Sequence, residues 1–359
     1  MFQKTRYITW ALQFYGKTPY DLATSGIPYA STSELEPVET ELFDDWAAYA
    51  ELVDAIAAYN AVSSLEVAPA MGTINAVFLA YAAMLSPGDE ILVEHPGYEP
   101  LTRCAEGLGA TVRTFSRPEE RGFAIDPDEV AAKMGPRTRA IVVTSLHNPS
   151  GVRVPDATLK ELAAIAEARG AYLVVDEVYA AFDDLPEEGV FRKSARHLAP
   201  NVVAVSSLTK CYGLGMHRIG WLLGPKEIVE GASTASMATV THMPAIHAAY
   251  GVAAFHSIPK LAKRAKAIIG NKRQIAAEWV KSIPGARWSN PQDGLFGLVT
   301  LPGRGDLLPA VENVAKQNGV LVGAGTFFGA PDSFRLSWAS CDEEKFRKGL
   351  ELLQPLVAT

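Results

Sequence analysis

Cysteine is scarce in this sequence, and the few cysteines present are poorly placed for structural bonds. The chain of 359 residues contains three, Cys104, Cys211 and Cys341, which lie far apart without a CxxC pair. An odd and scattered set favours neither a disulfide framework nor a zinc site. The seven histidines also lack metal-ligand spacing, since His242 and His247 are five residues apart. We therefore expect no metal site and a reducing compartment, the cytoplasm.

Positively charged residues are also fewer than negatively charged ones. Lysine and arginine total 33 residues against 40 aspartates and glutamates, which gives a formal net charge of −7. Binding to nucleic acid or to an anionic membrane surface requires a basic patch. Neither kind of partner is expected.

The sequence has no apolar run long enough to span a membrane. The longest mildly apolar stretch, Ser236 to Phe255, is interrupted by His242, Pro244 and His247. A spanning helix needs about 20 consecutive apolar residues, so this stretch indicates a buried segment. The first residues, MFQKTRYITWALQ, also lack the apolar core and cleavage site of a secretory signal.

Two common enzyme fingerprints are absent as well. The strings that begin at Gly213 and Gly323, GLGMHRIG and GAGTFFG, do not have the G-x-G-x-x-G spacing of a dinucleotide-binding turn. The G-x-S-x-G motif of many serine hydrolases does not occur. A dehydrogenase or a hydrolase of these types is therefore excluded.

The chain does contain a regular alternation of apolar strands and amphipathic helices after Met71. Strands that are apolar throughout and separated by helices are typical of a parallel sheet covered on both faces. The predicted fold class is α/β, with a mainly parallel, doubly wound sheet. The predicted strands are 90–94, 111–115, 140–145, 172–176, 202–207 and 219–223, and the predicted helices are 73–85, 98–108, 126–134 and 155–169.

The two ends of the chain follow other patterns. An aromatic start predicts a short helix and a loop around Gly26, and a second helix is predicted from Asp44 to Asn60. After Pro259, a long basic helix from Lys260 to Lys281, several short strands and a closing helix from Asp342 to Leu356 form an α+β pattern. The predicted units are an N-terminal segment (1–40) that joins the small domain, a large α/β domain (41–260) and a small C-terminal α+β domain (261–359).

The stretch SSLTKCYGLGMHRIGW, from Ser206 to Trp221, places a lysine between two predicted strands. A single lysine is usually a solvated charge. Here, however, the hydroxyl of Ser207 and the guanidinium of Arg218 suit a phosphate monoester close to the amine of Lys210. A desolvated amine beside such a site can form a Schiff base with an aldehyde that carries its own phosphate. Pyridoxal 5′-phosphate is such an aldehyde.

Other positions supply groups that this cofactor needs. Gly72 and Thr73 begin a predicted helix, whose free amides and positive end attract a phosphate. Tyr98 follows a strand and offers an aromatic face for the pyridine ring. Asp176 ends a wholly apolar strand, where a carboxylate is costly unless it is paired with a group such as the pyridine nitrogen; the alternative role is a helix N-cap. Arg335, inside an apolar strand, requires an anion such as a substrate carboxylate.

In their order along the chain, these motifs resemble the class I and II group of fold-type I pyridoxal-phosphate aminotransferases. The resemblance extends from the glycine loop at Gly26 to the RLS motif at Arg335, and it includes the NP-G motif at Asn148. It implies that Gly26, Asn148 and Arg335 contact the substrate. The implied catalytic residues are Lys210, Asp176 and Tyr179, and the implied cofactor-binding residues are Gly72, Thr73, Tyr98, Asn148, Asp176, Tyr179, Ser207, Lys210 and Arg218.

The resemblance implies transfer of an amino group between an L-amino acid and a 2-oxo acid, through a lysine aldimine and pyridoxamine phosphate, in a homodimer. Lys210 would move the proton, Asp176 would stabilise negative charge through the ring nitrogen, and Asn148 and Tyr179 would reach the phenolic oxygen. The alternative is another pyridoxal-phosphate reaction on the same fold: a lyase, a decarboxylase or a cyclising enzyme of specialised metabolism. A non-enzymatic regulator is less favoured because no DNA-binding appendage is present.

Two parts of the sequence depart from the family pattern. The segment before Gly72 is short, and the residue that reaches the neighbouring subunit's cofactor cannot be chosen among Trp46, Tyr49 and Tyr59. In addition, no arginine lies near Thr241 and His242 to bind a second carboxylate. This absence weakens the case for aspartate or glutamate as substrate.

Overall fold

The computed structural model describes residues 2–38, 46–183 and 185–358. The start of the helix predicted from Asp44, and the predicted domain boundary at residues 40 and 41, lie outside these ranges. The helices are α1 (Arg6–Ala11), α2 (Ala47–Asn60), α3 (Thr73–Met84), α4 (Glu99–Gly107), α5 (Pro127–Lys133), α6 (Asp156–Glu167), α7 (Thr209–Tyr212), α8 (Lys226–Met237), α9 (Ala245–His256), α10 (Ile258–Ile269), α11 (Lys272–Lys281), α12 (Leu308–Asn318), α13 (Glu343–Leu352) and α14 (Gln354–Val357). The strands are β1 (Tyr20–Asp21), β2 (Val67–Met71), β3 (Glu90–His95), β4 (Thr111–Ser116), β5 (Thr138–Thr144), β6 (Tyr172–Asp176), β7 (Val202–Ser207), β8 (Ile219–Leu223), β9 (Arg287–Trp288), β10 (Phe296–Thr300), β11 (Val320–Leu321), β12 (Gly323–Ala324) and β13 (Ser333–Ser337).

The largest sheet has seven strands in the order β2-β8-β7-β6-β5-β3-β4. Strands β4, β3, β5, β6 and β7 run parallel, whereas β8 is antiparallel to both of its neighbours. The prediction of a mainly parallel α/β sheet is therefore confirmed.

Helices bury both faces of this sheet because successive residues of a strand point in opposite directions. Val142 and Val174 pack in one core with α3, α4 and α8, while their neighbours Ile141 and Leu173 pack in another core with α5 and α6. Each fully buried side chain of this size contributes roughly 1.5–3 kcal/mol to folding. In the described ranges, no helix combines the length and the apolar composition needed to cross a membrane.

The C-terminal region contains a second sheet, and the N-terminal segment packs against it. This four-stranded antiparallel sheet has the order β12-β13-β10-β9. The short strand β1 pairs in parallel with β11, Tyr20 opposite Val320. Tyr7 and Trp10 of α1 share a core with Phe334 and Trp338. The N-terminal segment thus pairs with and packs against the C-terminal region.

Three elements differ from the sequence predictions. The basic helix predicted from Lys260 to Lys281 is two helices, because the backbone leaves the helical conformation at Gly270 with φ 49° and ψ −133°. The predicted closing helix is also divided, with α14 beginning at Gln354 next to Pro355, which has no N–H for an interior helical bond. Strand β2 was not predicted. It lies at the edge of the sheet, where its Pro69 is tolerated.

Candidate active site

The carboxyl ends of the parallel strands bring the predicted site residues together. Asp176 is the last residue of β6, Ser207 is the last of β7, and Asn148 follows β5 by four residues. These strands are neighbours, so their ends meet at one edge of the sheet, where open α/β sheets bind ligands. A cavity of about 160 Å³ at this edge, here called the inner pocket, is lined by Thr73, Ile74, Tyr98, Asn148, Asp176, Val178, Tyr179, Ser207, Thr209, Lys210 and Arg218.

One end of the inner pocket is suited to an anion. It combines the N-terminus of α3 with the hydroxyls of Thr73 and Ser207, where Thr73 Oγ1 donates to Ser207 Oγ at 2.9 Å. Arg218 donates through Nη2 to the Met71 carbonyl at 3.0 Å. Gly72 has φ 83°, and a Cβ there would lie 2.3 Å from Arg218 Nη2. Only glycine therefore fits between the helix terminus and the guanidinium.

Asp176 provides a carboxyl group inside the pocket. Asp176 is 3% exposed, and its Oδ1 accepts a hydrogen bond from the Val178 backbone N–H at 3.1 Å. Burial raises the pKa of Asp176 to about 7, and the nearby Lys210 opposes this rise only weakly. The bond to Val178 resembles a cap, but a 3-10 turn rather than an α-helix follows. Asp176 is thus a buried carboxyl that a protonated ring nitrogen would stabilise.

Lys210 lies in the short helix α7, with its amine directed inward. Its Nζ donates to the buried Ser25 Oγ at 3.4 Å. Burial, followed by the charge of Arg335, lowers the pKa of Lys210 to about 8. An amine with this pKa is partly neutral near neutral pH and can act as a nucleophile or a base. Gly26 packs against it, since a Cβ at that position would lie 3.4 Å from Lys210 Cδ.

Tyr179 and Asn148 are oriented by partners outside the inner pocket. The Tyr179 hydroxyl donates to Ser25 Oγ at 2.8 Å. Asn148 Oδ1 accepts from Arg335 Nη1 at 2.7 Å. Because the amide oxygen is used in this way, the NH₂ group of Asn148 is the donor left for a ligand.

Arg335 is fully buried without a carboxylate partner among the described residues. Its Nη2 donates to the Tyr7 hydroxyl at 2.6 Å and to the Ala23 carbonyl at 2.9 Å. Phe296 and Phe328 each place a ring 4.9 Å from the guanidinium carbon. Its Nε has no hydrogen-bond partner. A buried guanidinium with an unused N–H is a receptor for an anion such as a carboxylate.

A second cavity meets the inner pocket at Lys210. This outer pocket has a volume of about 300 Å³. Most of its wall comes from the segment between Tyr15 and Tyr29, and Thr209 and Lys210 line both pockets. The outer pocket is lined by Tyr15, Gly16, Asp21, Thr24, Gly26, Ile27, Pro28, Tyr29, Thr209, Lys210 and Ser340.

The structure also shows residues that the sequence predictions missed. Tyr7 and Ser25 contact Arg335 and Lys210, and no local pattern distinguishes them. Glu94 and Arg117 form a buried ion pair at 2.6 Å behind the site. Glu94 accepts from the Thr144 backbone N–H at 2.7 Å, and burial raises the pKa of Glu94. A carboxylate at the end of the apolar strand β3 was a detectable signal, of the kind that identified Asp176.

Trp46, Tyr49 and Tyr59, the three candidates for contact with a neighbouring subunit, differ in how far they are exposed. Tyr59 is buried, and its hydroxyl lies 2.8 Å from that of Tyr212. Tyr49 is partly buried. Trp46 is 66% exposed and contacts the ring of His242. Of the three, Trp46 alone is well exposed.

The chain is similar in sequence and in fold to proteins of one family. The profile of the family described as aminotransferase class I and II matches residues 29–353. Aspartate/prephenate aminotransferase of Thermus thermophilus is 32% identical over 291 residues, which cover 78% of this chain and 72% of that protein. Capreomycidine synthase of Streptomyces vinaceus is 29% identical over 290 residues, or 80% of this chain and 73% of that protein. The structure of a PLP-dependent aminotransferase from Streptococcus suis has the same fold, with a TM-score of 0.87 and 22% identity over 99% of this chain and 97% of that one.

Proposed function

Because this chain belongs to the class I and II aminotransferase family and is a pyridoxal-phosphate-dependent aminotransferase, we propose that its inner pocket holds the cofactor. Pyridoxal phosphate, when bound, supplies an aldehyde that condenses with amines and a ring that accepts electrons from the adjoining carbon. Lys210 is the amine that anchors it. The anion site at Gly72, Thr73, Ser207 and Arg218 holds the phosphate.

The remaining residues of the inner pocket orient the ring. Asp176 holds a proton at the ring nitrogen, because a carboxyl with a pKa near 7 in this position is stabilised by a cationic N–H. Asn148 and Tyr179 bind the phenolic oxygen, and Tyr98 covers one face of the ring. All these residues line the same cavity.

Arg335 binds the carboxylate of the amino acid, and Lys210 moves the proton. The unused Nε of Arg335 and its contact with Asn148 place the receptor beside the inner pocket. With the cofactor bound and the substrate amino group in place of Lys210, the freed amine of Lys210 would take the proton from the substrate α-carbon and would pass it to the C4′ carbon of the cofactor. A pKa of about 8 leaves a larger fraction of that amine neutral near pH 7 than an ordinary lysine has, and the neutral form can accept the proton.

The observation that carries this assignment is that the Lys210 amine, the buried Asp176 carboxyl and the anion site line one cavity. The lowered pKa of Lys210 and the raised pKa of Asp176, both caused mainly by burial, support it. The test is a spectral half-reaction. Purified protein loaded with pyridoxal phosphate is mixed with each of the twenty L-amino acids. We expect at least one to convert the bound cofactor to its pyridoxamine form and to yield one equivalent of 2-oxo acid. The absence of conversion with all twenty would refute transamination of the common amino acids.

A second candidate is a lyase, decarboxylase or cyclising reaction with the same cofactor. It is favoured by the similarity to capreomycidine synthase, a relative that is named as a synthase and not as an aminotransferase. The same experiment separates the candidates, because transamination leaves pyridoxamine phosphate on the protein, whereas the alternatives return the aldehyde form. Release of ammonia or carbon dioxide, measured in the same samples, would identify a lyase or a decarboxylase. A cyclised product detected by mass spectrometry would identify a cyclising enzyme.

We also propose that two copies of the chain associate around the outer pocket. Tyr29, which is 67% exposed, lines the outer pocket, and Met216, which is 71% exposed, is joined by Ile246 and Trp46 as exposed apolar residues. Tyr29 lies against Gly215, and His247 Nδ1 lies 2.9 Å from the His217 carbonyl oxygen, so this apolar surface continues along α9. Exposed apolar patches rimmed by polar groups are typical of protein interfaces.

Sedimentation of two variants tests the association. Met216→Asp places a charge in the proposed interface and should shift the protein from dimer to monomer. Leu65→Asp changes an equally exposed residue, 79% exposed, outside this surface and should leave the dimer intact. A monomeric wild-type protein would contradict the proposal.

Two further predictions from the sequence remain proposals. The large domain (41–260) and the small domain (261–359), with the segment 1–40 joined to the latter, are supported by the separate sheets and by the packing of α1 on the C-terminal core. A cytoplasmic location rests on the composition of the sequence, with its three scattered cysteines.

A further inference from the structure

The wall of the outer pocket is rich in hydrogen-bond acceptors and poor in cations. Tyr15, Thr24, Tyr29 and Ser340 contribute hydroxyls, and Asp21 contributes a carboxylate. Among the residues that line this pocket, Lys210 is the one cation, and the proposed function commits its amine to the cofactor. A ligand side chain that enters the outer pocket would therefore meet the negative charge of Asp21.

Asp21 is held in a fixed orientation by neutral donors. Its Oδ1 accepts from the backbone N–H groups of Ala23 and Thr24 at 2.8 and 2.9 Å, and its Oδ2 accepts from Thr24 Oγ1 at 2.6 Å. No lysine or arginine of the described residues forms an ion pair with it. Each carboxylate oxygen has about two acceptor positions, so Oδ2 can accept from a ligand as well.

The site thus presents charges of opposite sign on two sides of Lys210. Arg335 lies on the side of the inner pocket, hydrogen-bonded to Asn148, and Asp21 lies in the wall of the outer pocket. Tyr15 lies in the wall of the outer pocket with Asp21, and burial, followed by the nearby Tyr7, raises the pKa of its hydroxyl. A molecule with a carboxylate at one end and a cation at the other matches this arrangement.

We propose that the substrate is an L-amino acid whose side chain carries a cationic nitrogen, a guanidinium or an ammonium, which donates to Asp21. This inference rests on the proposed function and specifies its substrate class. The outer pocket, at about 300 Å³, has room for such a side chain, since it equals the volume of roughly ten water molecules.

Other side chains fit this wall poorly. A second carboxylate would lie near Asp21, and apart from Lys210 no lining residue of this chain supplies a cation to bind it, whereas like charges at short range repel. An aliphatic side chain would remove water from Asp21 and from the surrounding hydroxyls without replacing their hydrogen bonds. The substrate class therefore differs from the dicarboxylic amino acid in the name of the Thermus thermophilus relative.

The experiment compares L-arginine with L-citrulline, which has nearly the same shape but no charge. The rate of cofactor conversion gives kcat/KM for each, in the wild-type protein and in Asp21→Asn. L-Lysine, L-ornithine, L-leucine and L-glutamate extend the comparison. We expect the wild type to prefer arginine over citrulline by about tenfold to a hundredfold, the range for a hydrogen bond to a charged group. In Asp21→Asn, this ratio should fall to near one.

Asp126→Asn is the matched control. Asp126 also caps backbone N–H groups, those of Asp128 and Glu129, but it lies at the start of α5, away from both pockets. Its replacement should leave the arginine-to-citrulline ratio unchanged. Because the ratio is taken within one protein sample, partial unfolding or loss of cofactor cancels out of it.

A binding measurement gives a readout that does not depend on turnover. α-Methyl-L-arginine lacks the α-proton, and its dissociation constant is measured by titration calorimetry. It should bind Asp21→Asn more weakly than wild type by a factor similar to that found for the rates. α-Methyl-L-leucine should bind both proteins equally.

The outcomes separate this inference from the proposed function. If no amino acid converts the cofactor, the proposed function fails. If conversion occurs but citrulline, leucine or glutamate reacts as well as the cationic amino acids in the wild type, the inference alone is overturned. An unchanged arginine-to-citrulline ratio in Asp21→Asn would overturn it as well, even with arginine preferred.

Discussion

The inner and outer pockets share Lys210 but are built from different parts of the chain. The inner pocket is formed between Thr73 and Arg218, at the ends of the strands of the large sheet. The outer pocket is formed mainly by the segment from Tyr15 to Tyr29, with Ser340 from the other end of the chain. In the proposed function, the reaction therefore depends on the inner pocket and the choice of amino acid on the outer pocket, which are separate regions of the chain.

The two regions also differ in how their side chains are held. Asp176 and Ser207 end strands that are hydrogen-bonded on both sides within the sheet. Asp21 ends a two-residue strand that pairs with β11 alone. Changes in the inner pocket should therefore slow all amino acids alike, whereas changes in the outer pocket should alter their ratio.

The largest effect is expected for Lys210→Ala, since this residue belongs to both pockets. Loss of the anchoring amine and of the proton carrier should lower single-turnover rates at least about ten-thousandfold for every amino acid. Lys226→Ala, at an exposed position in α8, serves as the control. Undiminished turnover in Lys210→Ala would remove the assigned mechanism.

Asp176→Asn should lower the rate of cofactor conversion much more than it weakens cofactor binding. The amide can still accept from the Val178 N–H, but it cannot stabilise a proton on the ring nitrogen. Rates should fall by about a hundredfold to a thousandfold, as for the loss of one electrostatic contact in other active sites. The rates with two unlike amino acids should fall equally, and cofactor retention, measured by dialysis and absorbance, should change much less. Equal losses of rate and retention would contradict an electronic role.

Ser25→Ala tests the hydrogen bonds that Tyr179 and Lys210 make to the Ser25 hydroxyl. Ser25 Oγ accepts from the Tyr179 hydroxyl and from Lys210 Nζ, so its removal leaves both donors without this partner. We expect rates to fall by about three- to tenfold, the size of one hydrogen bond. A double-mutant cycle that combines Ser25→Ala with Tyr179→Phe measures the coupling between these two residues. Additive effects of the two changes would show that Ser25 does not act through Tyr179.

The smallest effect concerns the stability of the cofactor-free protein. Burial raises the pKa values of Asp176 and Glu177 from 3.8 and 4.5 to about 7. Between pH 4 and 7 the folded state therefore keeps protons that the unfolded state releases, so stability falls as the pH rises through this window and levels off above it.

Thermal unfolding at pH 5 and pH 8 measures this dependence. Asp176→Asn should reduce the loss of Tm between the two pH values by a few degrees relative to wild type. The exposed Asp128→Asn, in the first turn of α5, should keep the wild-type difference. An unchanged difference in Asp176→Asn would mean that Asp176 is already charged in the free protein.

The large sheet was predicted well from the sequence, and most residues predicted to bind the cofactor lie together in the inner pocket, because the signals for both are local. Strands 172–176 and 202–207 were predicted with the bounds that the structure has, since each is a continuous apolar run between breaks. Asp176 and Lys210 are conspicuous because each places a charge at the end of such a run. The parallel order of the strands then brings these ends together.

The outer pocket and the receptor around Arg335 could not be predicted in the same way. Tyr7 and Arg335 are hydrogen-bonded but lie 328 positions apart. Asp21 and Ser25 lie in a segment without periodic apolar pattern, so their positions depend on the pairing of β1 with β11 and on packing against the C-terminal core. Only tertiary contacts place them beside Lys210.

The late position of Arg335 in the chain also has a consequence during synthesis of the protein. A nascent chain that has emerged from the ribosome as far as residue 300 already contains all the residues assigned to the cofactor. It lacks the guanidinium that joins Tyr7, Ala23 and Asn148. If Arg335 binds the substrate carboxylate as proposed, such a chain lacks the receptor for it, and translation must pass Arg335 before the enzyme can engage its substrate.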